Sequence, residues 1–241
     1  MTGLASLIPV YQGLGPIDEI ASNQKPHDVS RDDITAKTVH TEIAIALGGD
    51  SSVQLVTLAS MCANTLDAYF ETGEIEFLLE AEKLYQDLLS ITPSHLIPFL
   101  MDRVASACTY FYYERDMRRR VQQGEQFLLH EAVEYIFRRG ADCPIYATLL
   151  QVDNIWTPTL TACLRGWQAL WDIHDDLRDV KMDIQTPSNC NILLLTNGDT
   201  NLVWIRVQQI TDDLTNLNPP AQLLPLIEQE YEAIRTVIGG R

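Results

Sequence analysis

The chain has 241 residues and a formal charge of −16, with 46% apolar and 21% charged residues. Its length suits one large domain or two small ones, and its apolar share supports a sizeable core, which argues against global disorder. The acidic balance disfavours nucleic-acid and anionic-membrane binding, whereas a metal-dependent enzyme can still handle phosphates because its cations reverse the local field.

Residues 1–28 read as an irregular N-terminal segment punctuated by Gly13, Gly15, Pro16 and Pro26. They lack the basic start and long apolar core of a targeting peptide. From there to residue 241 the spacing predicts a single α-helical domain. The first helix opens behind Ser30 as N-cap and closes on Gly48-Gly49; a second runs from about Ser51 to Glu71 and stops near Gly73. EIEFLLEAEKLYQDLLS repeats apolar residues every three or four positions. Pro93 breaks the chain, and a long apolar and aromatic helix then runs toward Arg120. Further helices are expected at 125–139, 144–152, 158–184, 199–215 and 220–238. NILLLTN, residues 191–197, is short enough to be helix or strand. The expected architecture is an all-α, single-domain bundle of roughly nine or ten helices around a central cavity. The five scattered cysteines show no CxxC spacing and read as buried free thiols in a reducing compartment. No stretch approaches the roughly 18 apolar residues of a membrane span. The expectation is a cytoplasmic protein.

DIHDDLRDVKMD, residues 172–183, crowds five aspartates into three turns. At about 100° per residue, with Asp172 at zero, Asp175 falls at about 300°, Asp176 at 40°, Asp179 at 340° and Asp183 at 20°. All five share an arc of about 100°, while Trp167, Leu170, His174, Leu177, Arg178 and Lys181 lie on the opposite side. Like charges at i,i+4 cost a few tenths of a kcal/mol per pair even in water. Two explanations remain: a solvated face that tolerates the strain, or bound hard cations such as Mg²⁺, which prefer carboxylate oxygens and leave room for phosphate oxygens. The long apolar lead-in TLTACLRGWQALW favours a stripe facing an internal cavity. A second acidic pair, Asp67 and Glu71, is spaced i,i+4 near the end of another apolar helix, with Asn64 on the same side. A diiron or dimanganese carboxylate bundle is disfavoured, because no histidine follows a glutamate by three residues.

GWQALWDIHDDLRDVKMD resembles the second metal-binding motif of the class I isoprenoid synthase superfamily. The resemblance covers residues 50–185, and the run Asp175-Asp176-Leu177-Arg178-Asp179-Val180-Lys181-Met182-Asp183 carries it. It implies that Asp175, Asp179 and Asp183 chelate metal. It also places the upstream motif on Asp67 and Glu71, although Ala68 stands where the family has a second acid. EAVEYIFRRGADCPIYATLL resembles the family's diphosphate-sensing helix, with Arg138 or Arg139 as the sensor. The C-terminal Arg-Tyr pair of many cyclases is not evident, and the chain is short for the family.

The resemblance implies Mg²⁺, as a cluster of about three ions, binding a prenyl diphosphate whose departure leaves an allylic cation. Phe70, Trp167 and Trp171 are the expected aromatic surfaces for that cation. Glu74 and Glu76 stand where chain-elongating enzymes carry a basic pair, which favours a one-substrate cyclase. The alternatives are a trans-prenyltransferase or its small subunit, and a non-catalytic helical protein with an acidic stripe. Beyond the diphosphate substrate, a homodimer is one allowed assembly.

Overall fold

The computed structural model describes Leu4, residues 39–183 and residues 190–239. The expected N-terminal segment and the Ser30 cap lie outside the described residues. Every regular element among the described residues is helical, with no strand. The helices are α1 (Val39–Ala46), α2 (Ser52–Thr72), α3 (Ile75–Ile91), α4 (Ile97–Gln122) and α5 (Leu129–Arg139). A 3₁₀ turn (Gly140–Asp142), α6 (Cys143–Leu149) and a second 3₁₀ turn (Leu150–Asp153) follow. The remaining helices are α7 (Leu160–Asp183), α8 (Ile192–Leu195), α9 (Thr200–Leu217) and α10 (Leu224–Gly239). None of the described helices is long and apolar enough to cross a membrane. All five cysteines are free and buried.

The described chain divides into two compact units. The first takes in residues up to Cys108 and Pro144–Trp156; the second takes in Thr109–Cys143 and the chain from Thr157 onward.

In the first unit α2 and α3 form an antiparallel pair joined at Gly73, whose φ of 72° is the left-handed conformation that glycine adopts at no steric cost. The inner face of α3 is Ala81, Leu84, Tyr85, Leu88 and Leu89, the three- and four-residue spacing read from the sequence. The start of α2 is capped from far away in the chain. Asp153 accepts hydrogen bonds from the Ser51 and Ser52 amides at 3.2 and 2.6 Å. Burial works to raise the Asp153 carboxyl, but those amides outweigh it and hold it below its ordinary value. Gly49 is needed beside this cap: a Cβ there would sit 2.2 Å from Ser52 Oγ and 3.1 Å from the Ala44 carbonyl.

The second unit is built on α7, which packs against α5, α8, α9 and α10. Its buried residues include Leu160, Leu164, Trp167, Leu170, Ile173 and Leu177. α9 buries Val203, Val207, Ile210 and Leu214, and it comes so close at Gly166 that a Cβ there would lie 2.6 Å from Leu214 Cδ2. α5 begins where Glu131 accepts the Leu128 amide at 2.9 Å, and its buried stripe is Ala132, Tyr135 and Ile136. Asp199 caps α9 by accepting the Asn201 and Leu202 amides.

The short apolar run at 191–197, open between helix and strand in the sequence, is a single helical turn. Leu195 N bonds Asn191 O at 3.0 Å and Thr196 N bonds Ile192 O at 2.9 Å. Its first amides are satisfied by side chains. Ile192 N donates to Asp176 Oδ2 of α7 at 2.7 Å, and Leu193 N donates to Asn191 Oδ1 at 2.9 Å. Asn191 Nδ2 in turn donates to the Asp176 carbonyl at 2.6 Å. An isolated four-residue helix is unstable in water, so this one depends on its α7 partner.

Candidate functional site

α7 divides its aspartates into two settings. Asp172 and Asp176 are buried, at 2% and 5% exposure. Asp175 and Asp179 are half-exposed, with side chains 27% and 30% accessible. Asp183 ends the helix, and its side chain lies outside the described residues.

The buried pair meets Arg139. The stripe of Ala132, Tyr135 and Ile136 continues at the next helical step into Arg139, so this guanidinium enters the interior while Arg138 stays outside. Arg139 Nη1 donates to Asp176 Oδ1 at 2.8 Å, and Nη2 lies 3.2 Å from Asp172 Oδ1. Burial works against the charge on Arg139, but the two carboxylates outweigh it and hold its pKa well above the ordinary value. Burial pushes the Asp172 carboxyl up to about 7; Arg139 pulls the other way, and Asp176 adds to the rise. Gln168 Nε2 also donates to Asp172 Oδ1, at 3.1 Å. Burial likewise raises the phenols of Tyr110 and Tyr135, both of which feel Arg139.

The open pair meets Arg178 of the same helix. Its Nη2 bonds Asp175 Oδ1 and its Nε donates to Asp179 Oδ1 at 3.1 Å. Two carboxylate oxygens one turn apart are thus bridged by a positive group in contact with solvent.

Arg138 pairs with Glu134 and lies over the Tyr113 ring, 4.2 Å from its centre. Of the expected aromatic residues, Trp167 and Phe70 are buried and Trp171 is half-buried. In the other unit, Asp67 is half-buried and Asn64 exposed on α2; the Glu71 side chain lies outside the described residues. The basic run at 114–120 is occupied by local ion pairs: Arg118 with Glu114, Arg119 with Asp116, and Arg120 with Glu125 and Glu131. His174, expected opposite the stripe, bonds the buried Glu230 of α10 at 2.8 Å.

Gln168, Asn191 and Glu230 were not singled out by the sequence reading. A signal existed for Asn191, a polar residue leading an apolar run, and for Gln168, one turn ahead of Asp172. Nothing local marks Glu230. Comparison with protein-family models, with curated proteins and with solved structures returns no match.

Proposed function

We propose that the chain is a class I terpene cyclase, a carbon–oxygen lyase that ionises geranyl or farnesyl diphosphate with Mg²⁺ in the cytoplasm and closes the resulting cation within a helical cavity. The observation carrying this reading is the open flank of α7. Asp175 and Asp179 stand half-exposed one turn apart and share a cationic partner, on a helix whose remaining faces are largely buried. Asp175, Asp179 and Asp183 are assigned to hold metal. Bound Mg²⁺ would supply Lewis-acid neutralisation of the leaving diphosphate. Arg138 and Arg178 are the solvent-facing cations suited to the same charge. Arg139 is committed to Asp172 and Asp176, so its part is to position α7 rather than to touch diphosphate. Trp167 and Trp171 are assigned as aromatic surfaces for the carbocation.

The test is incubation of the purified protein with each prenyl diphosphate and Mg²⁺, followed by analysis of volatile products. A hydrocarbon or terpene alcohol whose formation stops on chelation is the expected result. A longer diphosphate formed when isopentenyl diphosphate is added would favour the prenyltransferase reading. No product from geranyl, farnesyl or geranylgeranyl diphosphate would favour a non-catalytic helical protein. That second reading has its own observation: Arg139 is held between the buried Asp172 and Asp176, as structural residues are.

A further inference from the structure

Gln168 and Asp172 lie one turn apart on α7, and both are buried. One edge of the pair is joined, with Gln168 Nε2 donating to Asp172 Oδ1 at 3.1 Å. On the other edge, Asp172 Oδ2 and Gln168 Oε1 are both enclosed without a hydrogen-bond partner. Both atoms are acceptors in the charged form of the pair, and a buried acceptor without a donor bears its full desolvation penalty. A single proton on Asp172 Oδ2 would answer both if it is donated to Gln168 Oε1, closing a two-bond acid–amide ring with the Gln168 Nε2 bond already present.

The charges point the same way. One guanidinium, Arg139, faces two buried carboxylates. Asp176 is the better served: it takes Arg139 Nη1 at 2.8 Å on one oxygen and the Ile192 amide at 2.7 Å on the other. A second ionised carboxylate would leave the cluster negative in a low-dielectric interior, and a proton on Asp172 makes it neutral. We propose that Asp172 is a protonated carboxylic acid paired edge to edge with the Gln168 amide, and that release of its proton is a pH-sensitive switch on the Arg139–Asp176 clamp that anchors α8. The switch needs no catalytic role for α7.

The groups facing Asp172 are Arg139 from α5, Asp142 from the 3₁₀ turn, Asp176 from α7 itself, and the Tyr110 phenol of α4, which feels Asp172. Cys143, wholly buried, also feels its charge. α9 buries aliphatic residues, and the buried Glu230 of α10 is bound to His174. Burial is the largest influence and raises the carboxyl from an ordinary 3.8 to about 7. Because the folded value exceeds the unfolded one, the proton's contribution to stability is complete below pH 3.8 and is lost as pH rises through about 7. Above that, Arg139 is shared between two anions, and its hold on Asp176 and the Ile192 turn weakens.

The test uses the full chain and D172N, in which Nδ2–H replaces the acid O–H and the ring is retained. Infrared difference spectra between about pH 5 and 9 should show the wild type losing a protonated-carboxyl band with a midpoint near 7, and D172N lacking that band. The wild-type thermal midpoint should fall as pH rises toward about 7 and level off above it, with the fall reduced in D172N. A wild type with no carboxyl deprotonating above about pH 6, or a band unchanged in D172N, overturns the proposal. If D172N does not fold, the Gln168 side-chain amide resonances of the wild type decide. They should shift with the same midpoint, and resonances fixed across the range overturn it.

Discussion

Asp172 and Asp176 share two turns of one helix with Asp175 and Asp179, yet the two pairs work in different media. The first pair is covered by α5 and by the turn at 191–196, and it is answered by Arg139, Gln168 and a backbone amide. The second faces solvent and is bridged by Arg178, itself 62% exposed. Chemically identical side chains therefore do opposite jobs. Inside, removing a partner strands a charge that water cannot reach. Outside, water and salt replace a lost partner at little cost.

The difference can be broken at several points. R139M should have the largest effect on folding, because it leaves the buried Asp176 carboxylate, with Asp172 beside it, facing no cation; an unfolding free energy lower by about 3–5 kcal/mol is expected from denaturant titration. A loss under about 1 kcal/mol would mean that the interior of this unit is wet. D179N should leave folding within about 1 kcal/mol of wild type; if the chain is the proposed cyclase, it should also lower turnover of prenyl diphosphate about 10²- to 10³-fold, about 2.7–4 kcal/mol of barrier. Equal turnover in the two proteins would remove Asp179 from the chemistry. R178Q should shift stability least, by less than about 1 kcal/mol and less still at high salt. Equal losses from R178Q and R139M would erase the distinction between the two flanks.

Much of the fold was legible in local spacing. The apolar steps of α3, the stop at Gly73 and the extent of α7 from Leu160 to Asp183 follow the sequence closely, since a helix face and its ends are encoded within a few residues. The sequence left Arg138 and Arg139 as alternatives; the buried stripe of Ala132, Tyr135 and Ile136, which runs on into Arg139, is what puts Arg139 rather than Arg138 against α7. The division of the aspartate arc was not legible either. Asp172 and Asp179 differ by only about 20° around the helix, but they stand about 10 Å apart along it, at levels covered by different neighbours. An angular projection discards that coordinate.

The sequence by itself determined an acidic chain, helical in its described regular elements, and the placing of its long helices. Tertiary structure alone decided which of the α7 aspartates are inside, that Arg139 is held by two of them, and that residues 191–197 wind into a helical turn rather than extend. The reason is one of range. Periodicity and capping act across a turn or two, whereas burial and ion pairing depend on which distant segment arrives: Arg139 lies 37 positions before Asp176, and Ile192 lies 16 after it.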